Sequence, residues 1–252
     1  MACYINKMSK FPAYLDDHAF LLDAILEFLQ SEWDTKLLHF AIKLADTLID
    51  NFLDKEKGGF FFTRNNHEKL IFRSKPMADD AMPSGNGIAC FTLQRLGFLV
   101  GDEKYLHASK KTLESGFSLL KESPHGHLNL LNAMEEYIDP PESIIIVGEK
   151  NRISEWIKST NKIFSPKRMV FSIPSNENST ELWRNGSGPK VMLIRQTDNN
   201  GNDYIIKEIS SFYQHILEYH SSGTSLHEEN GHYFTVNDVF RSEVKKLYQK
   251  NS

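Results

Sequence analysis

The feature that most constrains this chain is a repeated amphipathic periodicity. From Tyr14 to Gln30 the apolar residues Leu15, Phe20, Leu22, Ile25, Leu26 and Leu29 mostly recur at three- and four-residue steps. After Ser31-Glu32-Trp33-Asp34 the pattern resumes at Leu37, Leu38, Ala41, Leu44, Ala45, Leu48 and Phe52. Such spacing lines one face of an α-helix, so the two segments read as a helical hairpin. A second pair follows: Pro83-Ser84-Gly85-Asn86 opens a helix through Leu99, with Ser84 or Asn86 able to cap its first turn, and Gly101-Asp102 breaks it before a partner from about Lys104 to Lys121. About seventeen residues separate Asp16 from Trp33-Asp34, and the same interval separates Ser84 from Gly101-Asp102, so the hairpin is repeated. A hairpin cannot bury its apolar stripe alone; repeats must stack as a solenoid or close into a ring. A fifth helix from about His127 to Tyr137 continues the series.

Asp139-Pro140-Pro141 ends it, because two prolines cannot continue a helix interior. The boundary expected there separates a helical-hairpin region, residues 11–139, from an α/β and helical region, residues 140–252. In the latter, Ser143-Ile144-Ile145-Ile146-Val147-Gly148 reads as a buried strand, Ile153 to Phe164 as a helix and Met169-Val170-Phe171-Ser172-Ile173 as a second strand, which suggests a small parallel unit. Val191-Met192-Leu193-Ile194 suggests another strand before the turn Asn199-Asn200-Gly201-Asn202, and helices are expected at Ile206–Tyr219 and Val236–Tyr248. Inside the first region, Phe60-Phe61-Phe62-Thr63 and Leu70-Ile71-Phe72-Arg73, across Asn65-Asn66, read as a small hairpin loop.

A chain of 252 residues with 40% hydrophobic and 25% charged residues can bury a substantial core. A net charge of -4 is too close to balance for a polyanion-binding surface, so nucleic acid is not an expected partner. Only Cys3 and Cys90 are present, which excludes a disulfide framework and a closed thiolate zinc site. The N-terminus has no long apolar stretch and no run approaches the roughly 20 residues of a membrane span, so no membrane association and a cytoplasmic location are expected.

Chemistry is expected where loops enter helices. Asp16 and Asp17 open the first helix, where carboxylates are favoured by the dipole; capping is their bland role, and helix geometry points them in different directions. Asp79 and Asp80 precede the next hairpin's entry, on the same expected rim. Two carboxylates there could divide proton donation and water activation, and His18 is the alternative acid–base group. The expected catalytic set is therefore Asp16, Asp17, His18 and Asp80, with Tyr14, Asp79, Ser84 and Asn86 binding substrate. Ser84 lacks a nucleophile-elbow context and reads as an N-cap. His125-Gly126-His127 lacks metal-site spacing, so neither metal nor cofactor is expected.

Three phrases carry a resemblance: Tyr14-Leu15-Asp16-Asp17-His18-Ala19-Phe20-Leu21, Gly58-Gly59-Phe60-Phe61-Phe62-Thr63 and Asp80-Ala81-Met82-Pro83-Ser84-Gly85-Asn86-Gly87, in that order. Over roughly residues 11–175 the chain resembles the C-terminal half of the thioredoxin-domain-containing YyaL and spermatogenesis-associated protein family. That resemblance implies a mainly α fold, a partial α/α toroid of the six-hairpin glycosidase kind with a small C-terminal α/β segment. It also implies a truncated form, without the thioredoxin-like domain and with about half the ring. The function implied is a carbohydrate-active-like domain, catalytically degenerate or glycosidase- or epimerase-like, binding a saccharide or related small molecule in an acidic pocket. The alternative is a non-enzymatic interaction module that pairs with another copy or with a separately encoded N-terminal half.

Overall fold

The computed structural model describes residues 3–5, 8–66, 71–148, 157, 165–174, 190–197 and 203–210. The protein is mainly α-helical with a small α/β segment. It divides into two compact units, one of Met1–Leu29 with Asp34–Pro140 and one of Gln30–Trp33 with Pro141–Ser252.

The first unit begins with a short antiparallel pair, β1 (Cys3–Ile5) and β2 (Met8–Phe11), too short to register in the sequence periodicity. Five helices follow: α1 (Leu15–Ser31), α2 (Thr35–Asn51), α3 (Gly85–Val100), α4 (Glu103–Glu122) and α5 (Leu128–Ile138), the last preceded by a single 3-10 turn at Pro124–Gly126. The breaks inferred from sequence are capping devices. Asp34 accepts the Lys36 and Leu37 N–H groups at 2.8 and 3.2 Å, and Asp102 accepts that of Lys104 at 3.0 Å. Gly101 closes α3 at φ +68, a left-handed conformation that residues with a Cβ seldom adopt.

Helix α3 is the central element, with all but three of its 16 residues buried. Its small residues explain this. A Cβ on Gly87 would run into Asn129 and Leu130 of α5, and one on Gly97 into Leu106 of α4, so both neighbours approach closer than larger side chains would allow. Cys90 on α3, Leu113 and Leu120 on α4, and Leu130 and Ala133 on α5 form the core where the three meet. Burying each such leucine contributes about 1.5–3 kcal/mol.

The expected hairpin at Phe60–Arg73 is corrected: the described part is a loop with one isolated bridge, Leu53 to Phe60. The backbone of Phe60 is engaged elsewhere. The Asn86 side chain accepts its N–H at 2.6 Å and donates to its carbonyl at 2.9 Å, removing the groups a ladder would need. Residues 67–70 lie outside the described residues.

The second unit holds a four-stranded sheet, β3 (Glu142–Gly148), β4 (Arg168–Pro174), β5 (Lys190–Thr197) and β6 (Asp203–Ser210), in the order β4-β3-β5-β6. Strands β3 and β4 run parallel, Glu142 opposite Arg168, as do β3 and β5. Ile144, Ile145 and Ile146 are consecutive and all buried, which requires cover on both faces. Ile157 packs on Ile144, Ile146 and Val170, and Trp33 meets Phe171 edge-on at 5.9 Å. The expected helix from Ile206 is corrected at its start: residues 206–210 belong to β6, paired along its whole length with β5 in antiparallel register. Eight ladder positions and the β-branched pair Ile205-Ile206 favour the strand. The remainder of that helix, the one at Val236–Tyr248 and, apart from Ile157, the one at Ile153–Phe164 lie outside the described residues.

Candidate functional site

The N-termini of α1, α3 and α5 are each hydrogen-bonded to the loop that precedes α3. The Leu15 N–H at the start of α1 donates to the Phe62 carbonyl at 3.0 Å. Asn86, buried in the first turn of α3, grips Phe60 and also donates to the Pro76 carbonyl at 2.8 Å. Asp79 then joins α3 to α5: Oδ1 accepts the Ser84 N–H at 2.8 Å and Oδ2 the Asn129 N–H at 2.9 Å. Helix α5 has no side-chain cap of its own, so a carboxylate 50 residues away supplies it. Burial pushes the Asp79 carboxyl up, but the two backbone N–H groups and contacts with Ser84 and Asn129 outweigh it and hold the group below the usual carboxylate range.

These bonds separate the residues singled out from sequence. Ser84 is the N-cap of α3, its hydroxyl accepting the Gly87 N–H at 3.0 Å. Asp79 and Asn86 spend their polar atoms on backbone groups as well. Asp17 is exposed and reaches back to the Tyr14 N–H at 2.8 Å, the acidic half of a capping box. Asp80 is exposed, with its N–H on the Met82 carbonyl at 3.0 Å. Tyr14 stacks on Phe62, ring centroids 4.9 Å apart and planes 10° from parallel.

Asp16 is different. It diverges from Asp17 as the helix requires and lies against Gly85, where an added Cβ would collide with its Oδ1. That oxygen is sheltered from solvent and has no hydrogen-bond partner. Burial, reinforced by the Asp17 charge, raises its proton affinity above that of an ordinary aspartate.

His18 lies one helical turn from Tyr14. Its Nδ1 is 2.7 Å from the Tyr14 carbonyl, an acceptor, so Nδ1 carries the proton and Nε2 holds the lone pair. Burial lowers the imidazole pKa; the Tyr14 carbonyl opposes this and the Arg64 charge adds to it. The ring packs at 5.1 Å from Phe52. His18 is therefore neutral near pH 7, on a different side of α1 from Asp16.

A charged network deeper on the same helices was not apparent from sequence. Arg95 of α3 makes a bidentate pair with Glu136 of α5, Nη2 to Oε1 at 2.6 Å, and reaches Glu27 of α1 at 3.0 Å. The guanidinium also lies 4.1 Å from the centre of the Phe91 ring. Asp23, one turn before Glu27, is raised in pKa by burial and by the Glu27 charge, with Arg95 opposing. The one signal was an arginine inside the apolar run Leu93-Gln94-Arg95-Leu96. Among the described residues no group of three or more His, Cys, Asp or Glu side chains is placed to hold a metal ion, and no helix is long and apolar enough to cross a membrane.

The fold and rim define a helical-hairpin protein with alternate helices opening on one polar edge. No family model matches the chain. It is similar to spermatogenesis-associated protein 20 from Homo sapiens, 21% identical over 198 residues, covering 76% of this chain and 24% of that protein. The proteins of the same name from Rattus norvegicus and Mus musculus match at 22% and 21% over 200 residues, covering 77% of this chain and 25% of each. The chain thus spans about a quarter of the length of the curated relatives it matches.

Proposed function

We propose that this chain is a carbohydrate-active-like helical domain, a partial α/α toroid, that binds a saccharide or related polyhydroxylated molecule at the rim formed by α1 and α3. The observation that carries the reading is Asp16, whose sheltered and unpartnered Oδ1 faces the first turn of α3. A sheltered carboxyl with raised proton affinity is a better hydrogen-bond or proton donor to a sugar oxygen than an ordinary surface aspartate. Asp80 and Asp17 supply acceptors on the same edge, and Tyr14 an aromatic face. Turnover would be of the glycosidase or epimerase kind, with Asp16 as acid and the Asp80 carboxylate as base. Asp79, Ser84 and Asn86 shape the rim through the backbone.

Thermal-shift screening of a saccharide panel tests this with wild type, Asp16→Asn and Asp80→Asn. At least one saccharide is expected to raise the wild-type midpoint, with the response reduced in Asp16→Asn. A panel without effect, or an equal response in Asp16→Asn, overturns the reading.

A second reading, an interaction module, is favoured by α5, where Leu128, Leu131 and Ile138 are 51%, 41% and 74% exposed along one stripe. Self-association or pairing with a longer helical partner would cover it. Sedimentation showing a monomer unaffected by Ile138→Glu counts against self-association.

A further inference from the structure

Three polar atoms flanking the N-terminus of α1 are buried without a hydrogen-bond partner among the described residues: Thr63 Oγ1, Arg64 Nε and Arg73 Nε. Native proteins leave few such groups unsatisfied, each costing about 1–3 kcal/mol, so three on neighbouring residues call for an occupant. The residues are tied together. Arg73 Nη2 donates to the Thr63 carbonyl, and the Arg73 guanidinium lies 4.1 Å from the centre of the Phe61 ring. Arg64 follows Thr63 directly, and its charge is felt at His18.

Neither arginine has an ion-pair partner among the described residues. Asp54, whose charge reaches Arg73, is already held by Lys75 at 2.8 Å and by the Glu56 and Lys57 N–H groups. Two half-buried guanidinium groups without a carboxylate partner among the described residues, with a threonine that adjoins one in sequence and accepts a hydrogen bond from the other, are the donor set that recognises an oxyanion. We propose that Thr63, Arg64 and Arg73 form an anion subsite for an oxyanion group, a phosphate ester or carboxylate, carried by a sugar-like ligand on the rim. The sugar part rests on the reading above; the anion part stands on these three residues alone. The hydrogen bond from the Leu15 N–H to the Phe62 carbonyl keeps this loop against the N-terminus of α1, on the edge that holds Asp16.

Isothermal titration at constant ionic strength with inorganic phosphate, glucose 6-phosphate, glucuronate and glucose separates the parts. Wild type is expected to bind phosphate and at least one anionic sugar. Arg64→Gln/Arg73→Gln should weaken phosphate binding tenfold or more. Wild-type Arg Nε–H resonances followed by NMR during a phosphate titration give the same readout without a variant, should the double variant not fold. Failure of phosphate and both anionic sugars to bind, or equal affinity in the double variant, overturns the subsite. Glucose binding alone overturns the subsite and leaves the saccharide reading intact. Phosphate binding without any sugar supports the subsite and removes the saccharide.

Discussion

Asp79→Ala removes the side chain that, among the described residues, joins the N-termini of α3 and α5. Its two oxygens accept backbone N–H groups at 2.8 and 2.9 Å, and α5 has no other side-chain cap. Losing a cap costs about 0.5–2 kcal/mol and losing a hydrogen bond to a charged group about 1.5–3 kcal/mol. Because Asp79 is only half-buried and water can reach part of the vacated space, the two losses together come to about 2–4 kcal/mol rather than the full sum. At about 3 °C per kcal/mol for a unit of this size, the midpoint of thermal unfolding falls by roughly 6–12 °C. Asp79→Asn, with one acceptor left, should lose about half as much. Asp80→Ala, at an exposed neighbour, should stay within about 0.5 kcal/mol. The pH dependence has a definite sign. The folded carboxyl is held below its unfolded value of about 3.9, so its contribution is complete above pH 4 and is lost as pH falls through the lowered folded pKa. The gap between wild type and Asp79→Asn should therefore narrow below about pH 4. Thermal melts from pH 7 to pH 3, with hydrogen exchange at the Ser84 and Asn129 amides, measure both effects. A loss in Asp79→Ala no larger than in Asp80→Ala, or unaltered protection of both amides, would refute the two-helix cap.

Asn86→Ala leaves the buried Phe60 N–H and carbonyl without partners, and should cost about 2–4 kcal/mol in urea unfolding. Glu136→Leu strands the buried Arg95 charge and should destabilise by about 3 kcal/mol, whereas Arg95→Met/Glu136→Leu should recover most of that loss; equal losses in the single and double variants would contradict the network. Asp16 behaves oppositely to Asp79. Its folded pKa is raised, so the fold is favoured below the unfolded pKa of about 3.9 and loses that increment as pH rises through the folded value. Asp16→Asn is thus expected to melt at or above the wild-type temperature at pH 7, with the difference gone below about pH 4, and a clearly lower midpoint at pH 7 would show that Oδ1 has a partner after all.

Sequence periodicity alone located the five helices, because a buried stripe at three- and four-residue steps is written locally and each helix keeps it whatever its neighbours are. Ser84 announced the start of α3 for the same reason, since a cap acts two or three residues away, and the breaks at Asp34 and Asp102 became caps in the structure. The parallel pairing of β3 with β4 followed from a β-branched run flanked by a helix-length spacer. Side-chain roles were another matter. Four acids at loop–helix junctions were all expected to line the site, yet among them only Asp16 has a sheltered oxygen without a partner; Asp79 is consumed by an amide 50 residues away and Asp17 by its own helix. The described part of the Phe60–Arg73 segment has strand composition but is held as a loop by Asn86, from another element. The ion network of Glu27, Arg95 and Glu136 likewise exists only where three helices meet. Backbone periodicity is set by near neighbours in the chain. Desolvation, hydrogen-bond satisfaction and proton affinity depend on groups that only the tertiary fold brings within a few ångströms, so the sequence marked the loop–helix junctions while the structure alone decided which of their polar atoms are already hydrogen-bonded.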